Sequence, residues 1–76
     1  MKERVLEVLT NIRPEFDFTE NVNFIEEGML DSFDVVTLVA DLDSMFGISI
    51  DGVDIIPENF SSVESIINLL IKNGAK

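Results

Sequence analysis

The chain has no cysteine and no histidine, and its 5 lysines and arginines face 15 acids. Without cysteine there is no disulfide and no thiolate metal site. Without histidine no imidazole can activate a serine, which argues against a hydrolytic triad. A serine–lysine pair is formally open, but the lysines (Lys2, Lys72 and Lys76) all lie near the chain ends. The formal charge of −10 disfavours nucleic acid, whose phosphates need Lys and Arg, and anionic membrane surfaces. No apolar run approaches the roughly 20 residues that span a bilayer. Met1-Lys2-Glu3-Arg4 lacks the apolar stretch of a signal peptide, so the expected location is the cytoplasm. There is no Gly-rich phosphate loop, internal repeat or low-complexity tract. The acids do not make a calcium loop: after Asp41-Leu42-Asp43 the next ligand position is Met45, Phe46 stands where glycine is needed, and Gly52 stands where glutamate is needed. No metal site is expected.

What is present suits a small globular domain. A chain of 76 residues reads as one domain over 1–76, expected to be monomeric. Such a chain buries only about 60–65% of its unfolded surface, yet 46% hydrophobic residues suffice for one core. The acidic excess favours partners with basic surfaces, steered at long range; it also serves simply to keep a small protein in solution.

Apolar residues recur with helical spacing three times. Val5, Val8, Leu9 and Ile12 predict a first helix over 2–12, ended by Pro14, which disfavours helical geometry at Arg13. Val35, Leu38, Val39, Leu42 and Phe46 predict a second over 32–46, stopped by Gly47, with Asp34, Asp41 and Ser44 outward and Thr37 near them. Phe33, Val36 and Ala40 form a flanking apolar line on this helix. Val63, Ile66, Ile67, Leu70 and Ile71 predict a third over 62–73, opened by the S-x-x-E box Ser61-Ser62-Val63-Glu64. Residues 48–56 alternate briefly but have no strand to pair with, and read as an extended loop turning at Gly52. Pro57-Glu58-Asn59-Phe60 reads as one helical turn. The expected fold is all-α: a small bundle of three main helices plus one short helix.

The connection over 13–31 is long for so small a domain. It carries Phe16, Phe18, Val22, Phe24 and Ile25, which should pin it to the core, Phe24 foremost. It ends in Leu30-Asp31-Ser32-Phe33-Asp34, where the second helix begins. Asp31 and Asp34 suit a capping box with Asp in place of the usual Glu or Gln. Ser32 then offers a hydroxyl at the positive end of a helix, a place that favours phosphate.

The run Phe24-Ile25-Glu26-Glu27-Gly28-Met29-Leu30-Asp31-Ser32 resembles the approach to the attachment serine, G-x-D-S-L, of acyl and peptidyl carrier proteins. The helix after it, the Phe46-Gly47-Ile48 exit and Pro57-Glu58-Asn59-Phe60 also resemble that family, here called acyl-carrier-like. Phe33 replaces the usual Leu, and Thr37 is neutral where fatty-acid carriers are commonly acidic. The resemblance implies a non-enzymatic carrier with 4′-phosphopantetheine attached covalently at Ser32 between Asp31 and Phe33. A phosphopantetheinyl transferase, served by magnesium, would install the arm from coenzyme A. Acyl or aminoacyl groups would ride on the arm's thiol, as in fatty acid biosynthesis, D-alanyl transfer or peptide assembly. Asp31, Asp34 and Asp41 would meet basic docking surfaces on activating and transferring enzymes, while Phe33 and Val36 either add apolar contact there or turn inward. The Phe33 and Thr37 departures point toward a specialised freestanding carrier. The competing expectation is an acidic helical adaptor without a prosthetic group, in which Ser32 is a helix cap or a phosphorylation site.

Overall fold

The three apolar stripes become three helices in a computed structural model that describes residues 1–75; Lys76 lies outside the described residues. They are α1 (Lys2–Ile12), α2 (Ser32–Phe46) and α3 (Val63–Lys72), with single 3-10 turns at Gly52–Asp54 and Pro57–Phe60. No strand occurs among the described residues. Helix α1 packs against both α2 and α3, and the Pro57–Phe60 turn packs against α3.

Each stripe faces the shared core, except that Ile71, expected on the third, is 57% exposed while Leu69, expected off it, is buried. Val5, Val8 and Leu9 of α1, Leu38 and Leu42 of α2, and Val63, Ile66, Leu69 and Leu70 of α3 are buried, with Phe60 among them. Val35, Val39 and Phe46 pack at the margin. Helix α1 ends as the proline rule requires: Arg13, before Pro14, takes φ −134° and ψ 78°. Helix α2 ends on Gly47 at φ 64°, a left-handed cap that glycine adopts without strain.

The long connection is pinned where expected. Phe24 is 1% exposed and meets Phe18 edge to face at 5.0 Å. Its N–H donates to the Ser61 carbonyl at 2.8 Å, and its own carbonyl accepts from Met29 and Leu30. Phe24 thus ties the approach to Ser32 onto the start of α3.

Two expectations about where elements begin also need correction. Helix α3 starts at Val63, one residue late, because Ser62 is its N-cap and accepts from the Ser65 N–H; the Ser61–Glu64 box does not form. Ser61 still belongs to the preceding turn, where its hydroxyl donates to the Glu58 carbonyl. The supposed loop over 48–56 also contains a 3-10 turn, because the Asp51 side chain accepts from the Val53 N–H and caps it.

Candidate functional site

Ser32 is the first residue of α2 and is exposed. The cap of that helix is Asp31, whose side chain accepts from the Asp34 N–H at 2.8 Å. Asp34 returns the bond, its Oδ2 accepting from the Asp31 N–H at 3.1 Å. Both halves of the Asp–Asp box are therefore present. Ser32 is consequently not the cap, which removes one of the alternative roles considered for it. Its hydroxyl is free of the capping task and belongs to the first residue at the positive end of the helix.

Arg13 holds this box from outside. Its Nε donates to Asp34 Oδ2 at 2.8 Å and its Nη2 donates to Asp31 Oδ2 at 3.3 Å. Nη1 reaches Glu15 at 3.4 Å. One guanidinium thus bridges the two carboxylates that bracket Ser32. The bond to Asp34, and then its charge, raise the Arg13 pKa further. The Asp31 carboxyl is held below its ordinary value, first by the Asp34 N–H and then by the Arg13 charge. Sequence reasoning missed Arg13 altogether, since it had served only to mark the end of α1. Its place before Pro14, outside the helix, was the one available signal.

The other expected contact residues divide. Asp34 does not point outward as its helical position suggested: its side chain is 13% exposed, held back by both the Asp31 N–H and Arg13. Asp41, Ser44 and Thr37 are exposed as expected, and the Thr37 hydroxyl donates to the Phe33 carbonyl. Phe33 and Val36, whose direction the sequence left open, both face solvent at 81% and 66% exposure. Ser32 opens onto an apolar cleft of about 400 Å³ lined chiefly by Ile25, Leu30, Val35, Val36, Ile56 and Pro57. The far wall of this cleft follows directly on the Gly52–Asp54 turn. That turn is anchored by Asp54, a buried acid paired with Lys72 of α3 at 2.8 Å. The Lys72 hydrogen bond is the main reason the Asp54 pKa is lowered.

No group of three or more His, Cys, Asp or Glu side chains is placed to hold a metal ion among the described residues. No helix among them is long and apolar enough to cross a membrane.

A domain of three packed helices with a free serine at the start of the second is the architecture of a carrier, and the comparisons agree. The family described as "Phosphopantetheine attachment site" matches residues 2–70, and the chain belongs to this family of phosphopantetheine-binding carriers. The chain is also 32% identical, over 71 residues, to a D-alanyl carrier protein of Bacillus velezensis, an alignment covering 91% of each. Family members carry 4′-phosphopantetheine covalently on a serine, are not enzymes themselves, and work through transferases and activating enzymes. The residues around Ser32 fit such a group. The hydroxyl is accessible, the helix start is favourable to a phosphodiester, and the adjoining cleft is apolar.

Proposed function

We propose that Ser32 is the serine that takes the arm, and that the cargo is an aminoacyl group, D-alanyl foremost. The observation that carries the first part is the division of labour at α2: Asp31 does the capping and leaves the Ser32 hydroxyl exposed. In attachment, the Ser32 oxygen would form a bond to phosphorus and lose its proton to a base on the transferase, while adenosine 3′,5′-bisphosphate leaves. No imidazole exists in this chain to act as that base. Once bound, the arm supplies the thiol that the chain lacks, on which cargo rides as a thioester. The chain's own residues hold the hydroxyl at the mouth of the cleft, and Ile25, Val35 and Ile56 there offer apolar walls to whatever lies beside it.

The cargo reading rests on the D-alanyl carrier relative and on the packed core. Leu38, Leu42, Phe60, Ile66 and Leu70 are all 0% exposed, so the space between the helices that a long acyl chain would need is closed to solvent. An aminoacyl group needs no such space. The cleft outside Ser32 favours a second reading, a short apolar acyl cargo laid along its wall. On either reading the protein acts as a monomeric carrier domain in the cytoplasm, where coenzyme A and activating enzymes are supplied.

The test is intact mass after incubation with coenzyme A, magnesium and a broad-specificity phosphopantetheinyl transferase. One pantetheine adduct on the wild type and none on Ser32→Ala is the expected result. An adduct on both proteins moves the site elsewhere. The modified protein is then offered D-alanine with a D-alanine-activating ligase and, separately, short fatty acids with an acyl-activating ligase. Preferential D-alanyl thioester formation is expected, and preferential acyl loading would reverse the order of the two readings.

A further inference from the structure

We propose that Arg13 is a positioning residue of the attachment site, holding the Asp31–Asp34 box so that Ser32 presents its hydroxyl in one orientation. The inference rests on Ser32 being the attachment serine and adds a residue that lies outside the attachment motif. Three observations carry it. First, the guanidinium contacts both members of the box, through different nitrogens and on either side of Ser32 in the sequence. Second, the contact to Asp34 spans 21 residues, so it ties the end of α1 to the start of α2 rather than stabilising a single helix. Third, the Asp34 oxygen that accepts from Arg13 is the oxygen that accepts from the Asp31 N–H. Moving the guanidinium therefore disturbs the cap itself.

Charge points the same way. Attachment adds a negative phosphodiester to a turn that already holds the carboxylates of Asp31 and Asp34. The helix start offsets part of this, and Arg13 is the cation bound to that turn. Replacing it would leave three like charges in one helical turn when the arm is on. A lysine in its place offers a point charge without the fork, and reaches one carboxylate at a time.

The test compares wild type, Arg13→Gln and Arg13→Lys as transferase substrates, with Ser32→Ala as the blank. Circular dichroism first fixes a temperature at which all are folded. The hydroxyl is misplaced in the bound complex rather than kept from it, so kcat for Arg13→Gln should fall about tenfold or more with KM little changed. Arg13→Lys should recover only part of the loss. A merely less stable protein would behave otherwise: its folded fraction drops, and apparent KM rises at constant kcat. Hydrogen exchange gives a second reading that does not depend on the transferase. The Asp34 amide should exchange faster in Arg13→Gln, while Leu38 and Leu42 amides keep their protection. Equal kcat for wild type and Arg13→Gln overturns the inference and leaves the Ser32 assignment standing. A wild type that takes no adduct, or a Ser32→Ala protein that takes one, overturns the Ser32 assignment and this inference with it.

Discussion

At Phe33 the chain spends an aromatic side chain on water. A phenyl ring at 81% exposure contributes little to folding, so its replacement should change stability by no more than about 0.5 kcal/mol. Its neighbour Val36 is also exposed, and both flank the serine on the outward side of α2. On the proposal that Ser32 takes the arm, Phe33 stands where the enzyme that works on it would cover the ring. Phe33→Ala should therefore melt like the wild type but raise the transferase KM about tenfold, equivalent to ~1.4 kcal/mol of docking. A melting temperature that drops while KM stays put would assign Phe33 to the fold instead. Phe24 is the opposite case. It is 1% exposed, and Phe24→Ala should cost about 3–5 kcal/mol in denaturant unfolding, a large share of what so short a chain can hold.

These residues also show what a sequence can and cannot disclose. Phe24 was readable because a large apolar side chain in a long connection has few other uses. The Asp31–Asp34 box was readable because its partners are three residues apart and helix geometry fixes their distance. Whether Phe33 and Val36 faced in or out was not readable, since a wide apolar surface on α2 leaves two directions open. Arg13 was invisible for a different reason. Nothing local pairs it with acids that lie 18 and 21 residues further on.

At the scale of elements, the notable join is between the Gly52–Asp54 turn and α3. Asp54 is buried and paired with Lys72 at 2.8 Å. Asn59 Nδ2 donates to the Asp54 carbonyl at 2.7 Å, and the Asp51 N–H donates to Asn73 Oδ1 at 3.1 Å. This turn leads directly into Ile56 and Pro57, the far wall of the cleft beside Ser32. The sequence showed a lysine in the last turn of α3 and an acid after Gly52 but not their meeting, 18 residues apart. The same scale explains the misplaced start of α3. Two consecutive serines both satisfy a cap pattern, and only the preceding 3-10 turn, which occupies Ser61, decides between them.

The Asp54–Lys72 pair gives a pH dependence whose sign is fixed. The Asp54 pKa is lowered from 3.8, first by the Lys72 hydrogen bond. Its contribution to stability is complete above about pH 4, the ordinary carboxylate range, and is lost as pH falls through the lower folded value. The Lys72 pKa is raised from 10.5, first by the Asp54 hydrogen bond. Its contribution is present below that ordinary value and is lost as pH rises through the higher folded one. Melting temperature should therefore be flat through neutral pH and fall at both extremes. Lys72→Met should lower the plateau and flatten the part of the acid limb that Asp54 supplies. An acid limb identical in the two proteins would mean that other carboxylates carry it.

For the molecule as a whole, the formal charge of −10 and the apolar surroundings of Ser32 ask different things of a partner. Net charge acts at long range and should draw a basic enzyme in faster at low salt. Contact is another matter. Asp31 and Asp34 already pair with Arg13, so a partner's cation competes with that guanidinium for them. Asp41 remains exposed on the same helix, and a rim-exposed pair of this kind is worth only about 0–1 kcal/mol. We propose that the contact nearest the serine is made mainly by the exposed Phe33 and Val36, whose burial would be insensitive to salt at moderate concentrations. The two effects separate in surface-plasmon or stopped-flow kinetics with the transferase. Raising sodium chloride from about 0.05 to 0.5 M shortens the screening length severalfold and should cut the association rate about tenfold. The dissociation rate should change less than about twofold, because apolar contacts set it. A dissociation rate that climbs with salt as steeply as the association rate falls would show the acids of α2 in direct contact with the partner. Arg13 would then compete with the partner for them, and the Arg13→Gln protein, whose acids lack that competitor, would bind faster and tighter than the wild type.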